Sequence, residues 1–172
     1  GDCKIHTFTG PGTFTVSALA ACAAQNIVSY MVVAGGGSSN PSSPAPGGGG
    51  AGGFRELKNP ATPYTASPLD GYPTPGNRVT ITATAFPITV GAGGAQNAAS
   101  NPSVFSTITS AGGGMGGGAP AGAGPVASGE AGGSGGGGQG GPSGSGGAGN
   151  TPPVTPAQGQ NGGNGDPSPP NS

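Results

Sequence analysis

Large apolar side chains are confined to one part of the chain. Phe8, Phe14, Tyr30, Phe54, Tyr64, Tyr72, Phe86 and Phe105 all precede residue 106, and after Ile108 only Met115, Val126 and Val154 remain. A side-chain core is therefore expected only before that point. There, polar and apolar positions alternate in short runs. Lys4-Ile5-His6-Thr7-Phe8-Thr9, then Gly10-Pro11-Gly12, then Thr13-Phe14-Thr15-Val16 has the form of a β-hairpin. Ile27–Ala34 is a more continuous apolar strand, as expected in the middle of a sheet. Gly52–Leu57 reads as a short strand leaving a glycine turn. Arg78–Thr84 and Phe86–Val90 are rich in β-branched residues, with Pro87 marking an edge or a bend. Ser103–Ser110 completes the set. Ala18–Gln25 is the only helix-like run, and it is short enough to read equally as a loop. Several short strands separated by turns predict an all-β fold, a small β-sandwich with little or no α-helix.

Composition changes the picture for the remainder. The chain holds 42 Gly and 20 Pro in 172 residues, a bias that usually accompanies disorder. Disorder normally brings high net charge as well, whereas this chain has four basic and five acidic residues in all. So few charges do little to keep copies apart, and self-association is expected. Nucleic-acid binding is excluded for want of any basic patch. No apolar run approaches membrane-spanning length. Gly1 at the start suggests a processed chain or an excerpt. Two regions are expected: residues 1–111, β-rich with glycine-rich turns, and residues 112–172, extended and rich in Gly and Pro.

Between Gly112 and Gly165 stand 25 glycines in 54 residues. Ordering a backbone costs about 1–2 kcal/mol per residue, which three apolar side chains cannot offset. If the segment is ordered, the backbone must do the work. Chains without Cβ atoms approach closely enough for N–H and C=O groups to bond laterally, as glycine does at the collagen axis. Extended helices of three residues per turn, packed on one another or on neighbouring chains, meet that condition.

Reactive chemistry is sparse. His6 is the only histidine and has no acid near it in sequence except Asp2; two cysteines and one histidine do not make a zinc site. No Gly-Lys-Ser/Thr follows any glycine run, so no phosphate loop is present. No cofactor, metal or enzymatic activity is expected. Cys3 and Cys22 could close a 20-residue loop as a disulfide or stand as two buried thiols. The best binding candidate is Leu57–Arg78, which carries Lys58, Asp70 and Arg78, with Arg55 and Glu56 just before it. It also holds Tyr64 and Tyr72, each beside a proline. Tyrosine and arginine are common contact residues of adaptable recognition surfaces. The alternative is an ordinary long loop whose tyrosines lean on the sandwich.

Taken in order, the segments IHTFTGPGTFTV (Ile5–Val16), YMVVAGGG (Tyr30–Gly37), GGGGAGGFRE (Gly47–Glu56), FPITVGAGG (Phe86–Gly94), SVFSTITSAGGG (Ser103–Gly114) and GNTPPVTPAQGQNGGNG (Gly149–Gly165) closely resemble the glycine-rich domain of bacteriophage tail-fibre and virion surface proteins. The likeness covers nearly the whole chain, with a longer insertion at Pro63–Ala85 and an earlier end. It implies extended glycine helices in a rigid slab, loops that recognise a receptor, and a place on the virion exterior, on a tail fibre or the capsid. Expected partners are copies of the chain, as a homo-oligomer or trimer, other virion proteins, and a host saccharide or outer-membrane protein. Two alternatives stand beside host attachment: a capsid decoration or filament subunit joined through its glycine runs, and an ice-binding slab.

Overall fold

A computed structural model describes residues 4–22, 26–40, 43, 45–98, 100–118, 128–140 and 144–166. Among them the chain is nearly all β, with no α-helix and a single 3-10 turn at Pro75–Asn77. Six strands form two antiparallel sheets: β1 (Gly12–Thr15), β4 (Ala85–Thr89), β5 (Ser103–Phe105) and β6 (Ile108–Ser110) in that order, and β2 (Tyr30–Val33) with β3 (Phe54–Leu57). The sheets close on a core of Val32, Phe86, Phe105 and Ile108, with Val79 and Ile81 from the connection before β4. Phe105 sits at its centre, with the rings of Phe14, Tyr30 and Phe86 at 6.1, 5.9 and 6.1 Å. The all-β sandwich expected from the strand pattern is the one observed.

Three local expectations are corrected. The run Lys4–Thr9 forms no strand, and β1 pairs instead with β4, which sets Phe14 opposite Phe86 across the ladder. That partner buries aromatic surface, whereas Ile5 stays 87% exposed. Arg78–Thr84 contributes a single bridge, Thr80 to Ile27, and gives its alternate residues Val79 and Ile81 to the core. Ser103–Ser110 is not one strand but a tight hairpin turning at Ser106 and Thr107, with Ser106 in the left-handed region at φ 54°. In Ala18–Gln25, residues 18–22 are irregular, and the remaining three lie outside the described residues.

The glycine runs form a second architecture. Donors Gly47, Gly50 and Gly53 bond to the carbonyls of Gly117, Gly114 and Ala111. Gly114 and Gly117 donate in turn to Ser134 and Gly137, and Ser134, Gly137 and Gly140 to Ala51, Gly48 and Ala45. Every series advances in steps of three, the repeat of an extended helix with three residues per turn. Successive residues of such a helix face different neighbours. In residues 132–140, Gly133 and Gly136 donate to Gly112 and Glu130, while Gly135 and Gly138 donate to Gln160 and Gly163. This segment is bonded to five others: 45–51, 112–117, Glu130, 147–151 and 160–163. Segments 34–38 and 45–53 belong to the array as fully as those after residue 111 do, so hydrogen bonds cross that boundary repeatedly.

Glycine is needed here for space. None of the glycines whose surroundings are described has φ in the left-handed region, so the conformation is one that alanine also adopts. At Gly113, Gly135 and Gly136, however, a Cβ would fall on the backbone carbonyl of Gly50, Gly147 and Met115, far inside any real contact distance. The exceptions lie on the surface: at Gly48 and Gly163 a Cβ would meet nothing within 4 Å.

Two buried amides join the architectures. Gln158, 2% exposed, accepts from Ala111 N–H at 2.8 Å through Oε1 and donates to the Pro152 carbonyl at 2.8 Å, and its own carbonyl accepts from Phe54 at the start of β3. Asn77 donates to the carbonyls of Gly71 and Thr155, accepts from Arg55 at 2.5 Å, and takes the Tyr30 hydroxyl on its carbonyl at 2.8 Å. Burial, partly offset by the nearby Arg55 charge, pushes the Tyr30 phenol up to about 12.

Candidate recognition loop

The connection from β3 to β4 lies over the outer side of β3, and residue alternation on that strand explains how it is held. Glu56 pairs with the outward-facing Met31, which is 63% exposed, yet Glu56 itself is only 4% exposed. Its cover is the loop. Glu56 Oε2 accepts from the Ser67 amide at 2.9 Å and from the Ser67 hydroxyl, and the Glu56 carbonyl accepts from Gly71 N–H at 2.9 Å. A buried carboxylate is tolerated when hydrogen bonds replace its lost water, and here they fix the loop to the strand.

Asp70 organises the middle of the loop. Its Oδ1 accepts from Lys58 N–H at 2.9 Å and from Tyr72 N–H at 3.0 Å, so those two backbone nitrogens are no farther apart than the two bonds laid end to end. One cation–tyrosine pair grows from each. The Arg78 guanidinium lies over the Tyr72 ring, 4.4 Å from its centre, and its Nε and Nη2 both donate to the Tyr72 carbonyl at 3.1 and 3.0 Å. Lys58 Nζ stands 5.8 Å from the centre of the Tyr64 ring. Such pairs hold a flexible cation in place at modest cost. Tyr64 is 39% exposed; burial first, and then the Glu56 carboxylate, raise the pKa of its phenol.

Of the residues picked from the sequence, Asp70 ties the backbone of Lys58 to that of Tyr72, and the side chains of Lys58 and Arg78 lie against Tyr64 and Tyr72. Arg55 does not join them: it is 9% exposed and spends its guanidinium on Asn77 and, at 3.4 Å, on the Thr109 carbonyl of β6. It is a structural group rather than a contact residue. Cys22 is exposed, while Cys3, and with it the disulfide expectation, lies outside the described residues. Glu56 and Asn77 hold the loop in place; the sequence marks Glu56 only as a charge beside the candidate stretch and gives Asn77, within it, no signal of its own.

Among the described residues no group of three or more His, Cys, Asp or Glu side chains gathers to hold a metal, and no helix is long and apolar enough to cross a membrane. The ring of His6 packs edge-on against Phe14 at 5.1 Å. Comparison with known proteins gives no further guide: no family model, curated protein or solved structure matches the chain.

Proposed function

We propose that this chain is a non-enzymatic virion surface protein, a phage fibre or adhesin domain for host attachment, in which the glycine array is the stiff scaffold and the β3–β4 loop the contact surface. The observation that carries the reading is closure of the array within one chain. Its segments bond to one another, and the outermost is sealed by side chains: Asn161 Oδ1 accepts from Gly149 N–H and Asn164 Oδ1 from Gly146 N–H, each at 2.9 Å. An array whose segments bond to one another within one chain can hold a shape without a neighbour, and one whose loop carries two tyrosine–cation pairs is suited to display. The test is binding of the fluorescently labelled chain to a panel of bacterial cells. Wild-type binding to some strains, abolished by Tyr64→Ala together with Tyr72→Ala at unchanged melting temperature, is the expected result; wild-type binding that survives the double change overturns the loop's role.

The second reading, a decoration or filament subunit, is favoured by the open glycines. Gly48 and Gly163 leave room for another backbone to approach, and neighbouring Gly137 has its first contact at 3.4 Å. Sedimentation separates the two readings. The subunit reading expects concentration-dependent association that Gly48→Leu abolishes; attachment expects adhesion to cells to survive that change.

A further inference from the structure

Attachment through the β3–β4 loop leaves open what chemistry the loop takes, and the arrangement of charge bears on that. Five of the nine charged residues in the chain lie between Arg55 and Arg78. The two acids are turned to internal use: Glu56 is buried and accepts from Ser67, and Asp70 accepts two backbone N–H groups. Arg55 is buried against Asn77. Lys58 and Arg78 remain half-buried toward solvent, two cations against the one half-buried carboxylate of Asp70. Among the described residues, Lys58 Nζ has, besides the Tyr64 ring, a 3.5 Å contact with the Asn59 carbonyl, and Arg78, with Nε and Nη2 on Tyr72, has no hydrogen-bond partner for Nη1. A net cluster charge of +1, three basic against two acidic residues, thus stands in a chain of net charge −1.

Beside each cation is a tyrosine ring, half-buried at Tyr72 and 39% exposed at Tyr64. An aromatic face offers an apolar platform with little conformational entropy to lose, while a fixed cation supplies a charge-assisted hydrogen bond. A ligand that meets both demands has flat C–H faces and anionic substituents. Resting on the attachment reading, we propose that the loop residues Lys58, Tyr64, Tyr72 and Arg78 bind an anionic saccharide, with a sugar ring against the exposed Tyr64 and the carboxylate or phosphate groups on the two cations.

The chain has no tryptophan and three tyrosines, one of them Tyr30 in the core, so tyrosine fluorescence reports on this loop directly. Titration with a hexamer of galacturonate, a phosphorylated mannan oligosaccharide and neutral maltohexaose is the experiment. Binding of one or both anionic probes, with no binding of maltohexaose, is expected; which one binds separates carboxylate from phosphate as the recognised group. Lys58→Gln and Arg78→Gln each weaken the anionic probe about tenfold, the loss of one charge-assisted bond, whereas Lys4→Gln leaves it unchanged. Weakening by salt accompanies binding. Equal binding of maltohexaose, binding indifferent to both loop substitutions, or no binding of either anionic probe overturns the proposal. Cell adhesion measured on the same proteins keeps the two claims apart: adhesion that persists without saccharide binding leaves attachment standing and removes only the anionic ligand.

Discussion

The sandwich and the glycine array solve the same problem with opposite materials. In the sandwich, side chains fill the space between two sheets, and Phe105 alone touches three other rings. Burial of apolar surface is the driving term there. In the array the interior contains almost no side chains, and segments come close enough for backbone to meet backbone at three-residue intervals. Dispersion between close-packed main chains and lateral hydrogen bonds replace the hydrophobic core. A core of side chains tolerates modest repacking, whereas an array of backbones has nothing that can move aside. The more chemically monotonous region is therefore the less forgiving of added volume.

That contrast can be broken from either side. The largest effect is expected in the sandwich: Phe105→Ala removes the ring at the centre of the aromatic cluster and should cost about 3–5 kcal/mol, read from denaturant unfolding. Gly135→Ala adds a single methyl group, yet should cost about 1–3 kcal/mol or more, because the new Cβ lands on the Gly147 carbonyl. Gln158→Ala should cost about 1–3 kcal/mol by leaving the Ala111 N–H and the Pro152 carbonyl without their partner. High pH should weaken the sandwich. The Tyr30 phenol ionises near pH 12 in the folded chain and near 10 in the unfolded one, so the folded state holds the extra proton between those values. The Tyr30 contribution is then complete below pH 10 and is lost as the pH rises toward 12, measurable as a drop in melting temperature that Tyr30→Phe reduces. Smallest of all, Gly163→Ala should change stability by no more than about 0.5–1 kcal/mol, with stabilisation the favoured sign, since the site is open and its backbone angles suit alanine. Equal costs at Gly135 and Gly163 would mean that glycine serves flexibility rather than close approach.

How much of this is legible in the sequence follows from which forces leave a local trace. The boundary set by the aromatics at Phe105 and the β-branched run Phe86–Val90 report side-chain burial, and both are realised in the sheets. The turn at Ser106 leaves none, because the usual Gly or Asn of a tight hairpin is replaced by a serine in the left-handed region. The pairing of β1 with β4 is a long-range choice, made by Phe14 finding Phe86 rather than by the nearby Gly-Pro-Gly turn. In the array, composition announces close backbone packing but not its partners, since one glycine run looks like another. The register depends on rare residues such as Asn161 and Asn164, whose amides cap the edge. At the loop, the charged and aromatic cluster was readable. The burial of Arg55 was not, because alternation on β3 decides which side of the strand each charge takes.

The claim on which the account rests is that the glycine array is held by hydrogen bonds within one chain. Hydrogen–deuterium exchange on the isolated, monomeric chain tests it directly, at the amides of Gly113, Gly117, Gly135 and Gly138. Protection comparable to that of the β4 and β5 amides is the expected result. Exchange at the rate of an unstructured peptide, with protection appearing only when copies assemble, would contradict it and make the array a joint between chains.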